Sequence, residues 1–419
     1  MIYNITDRPP FSKTILFAIQ MVLSVFVATV LIANICGVST SGALVGASLS
    51  TIVYLLATNM KSPMFLSNSG AFVAPVLFAL SFYGYLGVAV GGIVSCLIYC
   101  IFGVIFSKIS YEKIYKIFPP ALIGAVTVVI GINLMPFILT YVQIDGQTNM
   151  YGIIVALITM LVIAFVSHYA KGIFKILPFL IGILFGYFVC IILTITNIYP
   201  IIDFSLFKDI GLIKLPDFAF THWEYTIGTF IPIIIMFAAY TVSAMMEALS
   251  DHAALGGIIG TDLYKEPGLS KIFIGEGLAN LVGSCVGGLG ICSYGEGVAC
   301  VGFSKVASTR VTLVSAIILG LLGFIEPIQV FIASIPSCVF AGAAIILYGF
   351  IACSGIKMLQ KTNLNEQKNL IIVSSVLSLG ISGLVIGGKT ISFSATALAL
   401  IVGIILNTIL KNRKEKENV

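Results

Sequence analysis

Two stretches put carboxylates where hydrocarbon is expected. Glu247 and Asp251 stand at the end of the apolar run Tyr240-Thr-Val-Ser-Ala-Met-Met-Glu247-Ala-Leu-Ser-Asp251. Spaced by four, they share one face of a helix. Glu296 stands in Gly287-Gly-Leu-Gly-Ile-Cys-Ser-Tyr294-Gly295-Glu296-Gly297, a glycine-rich interruption of another apolar run. An acid inside a membrane segment is costly and by default marks a functional site. A glycine-rich break in such a segment is the other pointer to a transport site. Two acids on one dry helix face repel each other when both are charged, so one keeps its proton, as a proton carrier requires. Asp251 has a plainer reading too, as a cap in water at the end of its span. Gly295 and Gly297 let backbone amides close on a planar ligand. The Glu296 carboxylate can accept N–H bonds from an imide or urea-like edge, and the half-helix after it offers free amides to a carbonyl oxygen. The alternative for Glu296 is a helix-capping acid in a wet crevice. Together these residues describe a site for a small, neutral, planar molecule with both donors and acceptors. Glu276 reads as a surface or capping acid and Glu326 as an outside-loop residue.

The elements that must hold these groups are membrane spans. The chain has 419 residues, 59% hydrophobic and 9% charged, too few charges to solvate a soluble domain. It reads as an all-α polytopic membrane protein. Apolar runs fall at 12–36, 40–58, 63–81, 84–107, 119–140, 151–168, 173–197, 225–250, 271–285, 287–304, 309–325, 327–352, 369–387 and 391–410, about fourteen spans. No cleavable leader pattern is expected at the first run. An even count puts both termini on one side. Of the 22 Lys and Arg, all but Lys208, Lys214 and Lys389 then fall on that side, which makes it cytoplasmic. The net charge of +5 is therefore a topology signal and not a nucleic-acid one. The nine cysteines lie mostly inside apolar runs without ligand spacing, and His168, His222 and His252 are scattered. No metal and no cofactor is expected. An enzyme is disfavoured, because there is no metal cluster, Ser–His pair or phosphate loop.

The third run is irregular. Lys61-Ser-Pro-Met-Phe-Leu-Ser-Asn-Ser69-Gly70-Ala71-Phe72-Val-Ala-Pro75 opens small and polar, and irregular backbone survives in a bilayer only where protein or a water-lined cavity shields it. The expectation is an extended piece followed by a half-helix. The segment around Glu296 repeats that pattern, third from the start of the second half. Matching broken segments suggest two repeats of seven spans, the second inverted because seven is odd. The stretch from Thr196 to Glu224, with Trp223 as an interfacial anchor, joins the halves outside the membrane. Lys108, Lys113 and Lys116 mark a cytoplasmic connector. The tail from Lys411 is a basic end held against anionic headgroups.

These features resemble the nucleobase–ascorbate transporter family of uracil and xanthine permeases, and bacterial uracil permeases most. The resemblance runs from Arg8-Pro-Pro10 through Ala71-Phe72-Val-Ala-Pro75 and Phe118-Pro-Pro-Ala121. It continues through Glu247, Lys265-Glu-Pro-Gly268, Ser293-Tyr294-Gly295-Glu296 and Leu347-Tyr348-Gly349. The family implies fourteen spans as two inverted repeats of seven. Short antiparallel strands in the third and tenth spans would meet at mid-bilayer. It implies a core domain from residues 1–117 and 225–325, a gate domain from 118–200 and 326–410, and a cytoplasmic tail at 411–419. It also implies a homodimer in the plasma (inner) membrane. By resemblance, Glu247 and Glu296 hold a nucleobase, Glu247 couples to protons with Asp251 as a candidate partner, and Tyr294 and Gly295 line the site. Gly70, Ala71 and Phe72 would supply the facing strand, and Tyr348 would approach from the gate.

Departures are also visible. Gly297 follows Glu296 where the family's signature has Asn, Ala299 replaces a later glycine, and Ser304-Lys305 replaces its Thr-Arg pair. Asp251 stands where a uracil permease has His, and Gly70 where it has Phe. Glu at 296 is like the uracil side of the family, since purine permeases more often carry Gln. The expected activity is proton-coupled uptake of uracil, with xanthine or another oxopurine second. A different class, an anion transporter or channel of the same architecture, is the rival; mid-span acids without mid-span Lys or Arg repel anions.

Overall fold

The computed structural model describes residues 1–108, 119–144, 147–172, 174, 177–208, 210–224, 230–360, 362–384, 386–387, 392–393 and 395–410. The connector at Lys113 and Lys116, Lys389 and the tail from Lys411 lie outside the described residues.

Proline, glycine and small polar residues set where helices stop. Helix α1 (Phe11–Cys36) follows Pro9-Pro10 and ends on Gly37 in the left-handed region, where glycine carries no Cβ penalty. Helix α2 (Thr40–Ala57) returns across the bilayer. Strand β1 (Leu66–Asn68) and a short 3₁₀ turn at Gly70–Phe72 then lead into α3 (Val73–Lys108). That helix is two spans joined at Gly84, whose φ of 61° and ψ of −160° suit only glycine. Next come α4 (Pro120–Leu134), α5 (Met150–Tyr169) and α6 (Pro178–Ile195). The second half holds α7 (Ile231–Ile259), α8 (Leu269–Val286), β2 (Ile291–Ser293), α9 (Gly295–Ser304) and α10 (Thr309–Leu322). It closes with α11 (Glu326–Ser334), α12 (Ser337–Leu359), α13 (Gln367–Ile381) and α14 (Ala395–Ile409). Among the described residues, eight helices are long and apolar enough to cross a bilayer. The protein is a multi-pass, all-α membrane protein.

One expected span is corrected. The run 327–352 is not one helix: Ile335 is extended before Pro336, because proline disfavours helix at the preceding residue. The membrane-crossing helix is α12, shifted to 337–359.

The two breaks meet. β1 and β2 pair antiparallel, Leu66 opposite Ser293 and Asn68 opposite Ile291. Side chains close the outer edges, as buried backbone requires. Thr51 Oγ1 donates to the Leu66 carbonyl at 2.7 Å, and Asn280 Nδ2 donates to the Ile291 carbonyl at 2.7 Å. Asn68 Nδ2 donates to the Thr29 carbonyl of α1 at 2.9 Å.

Helices pack in two sets. In one, α8 lies along α3 and α2, α10 along α2 and α1, and α3 along α7. In the other, α12 lies along α4 and α5, α5 along α6, and α13 along α14 and α4. Small residues let the backbones approach: a Cβ on Gly92 would lie 2.5 Å from Ser284 Cβ, and one on Gly131 would lie 2.5 Å from the Ala352 amide nitrogen.

Candidate functional site

The turn after β1, β2, α7, the start of α9 and Ile32 of α1 line one side of a cavity of about 220 Å³, and α4 and α12 line the other. Drug-sized ligands occupy roughly 300–1,000 Å³, so this space suits a smaller molecule. Glu247 and Asp251 reach it from α7, Glu296 from the first turn of α9, and Ser69, Gly70 and Ala71 from the turn after β1. Among the described residues that line it there is no Lys, Arg or His.

Local sequence explains these placements. Glu247 and Asp251 are one turn apart, and the Cys292 thiol of β2 lies 3.9 Å from Glu247 Oε2 as a weak donor. Asp251 Oδ2 is buried without a hydrogen-bond partner among the described residues. Its Oδ1 lies 3.9 Å from where a Cβ on Gly295 would stand. Helix α9 begins after Tyr294 with no side-chain cap; the Gly297 and Val298 amides bond the Tyr294 carbonyl, and Gly295 and Glu296 bring the positive end of the helix dipole to the cavity. Across the strand pair, Ser69 Oγ accepts from the Ala71 amide at 3.2 Å.

Two expected site residues do not reach the cavity. Phe72 is fully buried, 6.0 Å from Phe237 in a stacked pair, and fills the space beside Gly290. Tyr348 is fully buried and faces away. The face of α12 toward the cavity is Leu347, Phe350, Ile351, Ser354 and Met358, spaced at helical intervals. Tyr348 is about 100° off that stripe.

Sequence reasoning misplaced Glu276. It is not a surface acid: it is 0% exposed in α8, and neither carboxyl oxygen has a hydrogen-bond partner among the described residues. Its neighbours are Ser293, Asp251 and Glu247. Asn280, one turn on, binds β2, so this face of α8 underlies the strand.

A second cavity, of about 690 Å³, opens from Gly295, Glu296 and Phe350 and runs between α1, α6 and α12 to Lys357. Gly295, Glu296 and Phe350 border both spaces.

The model of the xanthine and uracil permease family, described as "Permease family", matches residues 12–387. The chain belongs to this family, the nucleobase–ascorbate transporters. It is similar to the uracil permease of Bacillus caldolyticus, 29% identical over 99% of this chain and 96% of that protein. It is similar to the uracil permease of Escherichia coli K12, 31% identical over 97% and 94%. Among solved structures, the transmembrane domain of the cyanobacterial bicarbonate transporter BicA superposes with a TM-score of 0.62 at 17% identity, covering 96% of this chain and all of that one. A murine Solute Carrier 26 member A9 anion transporter gives 0.68 at 11%, covering 96% and 69%. At such identities the likeness is one of fold. As a member of this family the chain is a membrane permease, not an enzyme.

Proposed function

We propose that the permease imports uracil together with protons. The observation that carries this reading is the cavity itself. It presents carboxylates from α7 and α9 and an uncapped helix start, with no cationic side chain among its described lining. Uracil carries N–H groups that a carboxylate accepts and carbonyls that helix amides donate to. An anion would meet carboxylates from α7 and α9 and no compensating cation on the facing side, which weighs against the anion reading despite the shared fold. The relatives named as uracil permeases support the same substrate. Xanthine or another oxopurine, with the same imide edge, is the second candidate.

A neutral base gives the membrane potential no charge to act on. Coupling then falls to a proton on Glu247, with Asp251 beside it. One proton is worth about 2.3 kcal/mol per 100 mV and about 1.4 kcal/mol per pH unit, together enough for accumulation of several hundredfold at 100 mV and one pH unit. In this reading the set containing α1–α3 and α7–α10 is a core that holds the base. The set containing α4–α6 and α12–α14 is a gate that moves against it. The wider cavity toward Lys357 is the release path to the cytoplasm, where both termini lie. The working unit is a homodimer in the plasma membrane.

The test is uptake of labelled uracil into proteoliposomes under an imposed gradient, inside alkaline and negative. Accumulation that a protonophore collapses supports the reading. Bicarbonate or sulfate flux with no response to any nucleobase sinks it.

A further inference from the structure

We infer that Tyr54 and His252 carry the coupled proton to the cytoplasm by a route separate from the solute's. The inference rests on the proton-coupled reading above. It begins with Glu276, a fully buried acid without a hydrogen bond among the described residues, behind the strand that bears the cavity. Such a group is costly unless it holds a proton. Gly275 and Gly277 flank it. A Cβ on Gly275 would stand 3.0 Å from Tyr54 Cδ2, and one on Gly277 would stand 2.8 Å from Tyr99 Cβ. The two rings thus close on α8 at either side of the carboxyl, and both lie within its electrostatic reach.

Beyond Tyr54 the hydrogen bonds are continuous. Its hydroxyl lies 2.6 Å from His252 Nε2 and 2.8 Å from Ser62 Oγ. His252 Nδ1 lies 2.7 Å from the Ala248 carbonyl and must donate to it. That fixes the meaning of the chain. When the ring is neutral, the Tyr54 O–H turns from Ser62 to Nε2, which accepts it. When the ring is charged, Nε2 donates to Tyr54, and Tyr54 donates to Ser62. Two proton arrangements of one heavy-atom framework make a relay. His252 also borders a cavity of about 360 Å³ formed by Gly256, Gly257 and Gly260 to Tyr264. This lies on the same side as the Lys61–Glu266 ion pair, the side to which α2 returns after α1, and so the side of the N-terminus. Neither solute cavity is lined by Tyr54 or His252: the inner one takes Ser243, Glu247, Ser250 and Asp251 from α7, and the outer one lies between α1, α6, α9 and α12.

The step balances. The Glu276 carboxyl, unbonded here, turns to Tyr54 and gives up its proton as Tyr54 passes its own to Nε2. This leaves carboxylate and imidazolium. The imidazolium then leaves Tyr54 and the Ala248 carbonyl and turns to the cytoplasmic cavity, where water takes its Nε2 proton; the Glu276 carboxylate regains a proton from Asp251 or Glu247, its acidic neighbours. The groups facing this path are Tyr54 of α2, Tyr99 of α3, Asp251 and Glu247 of α7, Glu276 of α8 and Cys292 of β2, with Asp262 at the mouth. Glu266 is not the acceptor: its bond to Lys61 holds its carboxyl below the usual range.

The test compares His252→Gln and Tyr54→Phe with the parent in proteoliposomes. The expected result is uracil binding and uracil–uracil counterflow near parental levels. Net uptake driven by a proton gradient falls by roughly tenfold or more and loses its pH dependence. Counterflow needs no net proton release, so a merely structural role would lower both together and would overturn the inference. Undiminished gradient-driven uptake in monodisperse preparations of either variant also overturns it. A parent protein that neither binds nor moves uracil points instead to failure of the functional reading.

Discussion

At the residue scale the site depends on acids that differ in what surrounds them. Glu296 sits at an uncapped helix start and faces the cavity. Glu296→Gln exchanges a charge-assisted acceptor, about 1.5–3 kcal/mol, for a neutral one, about 0.5–1.5 kcal/mol, a loss of about 1–1.5 kcal/mol; titration calorimetry should show uracil bound roughly fivefold to tenfold more weakly. Glu247→Gln mimics the protonated acid. We expect binding that no longer varies with pH and uptake that stops at equilibrium without accumulation; accumulation equal to the parent would remove Glu247 from the coupling. Both acids were legible in the sequence, because each interrupts hydrocarbon. Glu276 was not. Its place near the start of an apolar run gives no depth, and the groups that bury it come from α2, α3 and β2, remote in the chain. Tyr348 was named by resemblance, while the helical spacing of Leu347, Phe350, Ile351, Ser354 and Met358 in the same helix marks the face that meets the cavity.

At the element scale the breaks decide the architecture. The extended pieces around Ser67 and Cys292 were readable from glycine and small polar residues in a setting that excludes them. Their register was not, because it depends on Thr51 and Asn280 closing the outer edges. Gly84 joins two spans that read as separate apolar runs. A Cβ there would meet nothing within 4 Å, so the demand is purely on the backbone. Gly84→Ala should therefore cost about 1–3 kcal/mol, seen as a lower thermal midpoint in detergent with little change in uracil affinity. Pro336 was visible in the sequence too, and its weight was underestimated: it cuts α11 from α12.

At the scale of the whole molecule, composition and basic-residue asymmetry identified a polytopic protein, but which helices pack together could not be read from a chain whose spans are nearly all apolar. The two packed sets face each other across the cavity, and one contact between them is close. A Cβ on Gly70 would lie 2.8 Å from Ile351 Cδ1. Paired cysteines at 70 and 351, in a background without other cysteines, should cross-link on mild oxidation and halt uptake, with recovery on reduction. Uptake that persists in the cross-linked protein would exclude relative movement of the sets. The sealed edges of the strand pair carry one more consequence. Because Thr51 and Asn280 each cap a bare carbonyl, neither peptide group is left to draw water to mid-bilayer, and the expected consequence is a carrier that is electrically tight when idle. Asn280→Ala would uncap the Ile291 carbonyl and invite water, so a proton conductance in liposomes given no substrate is the signature to seek.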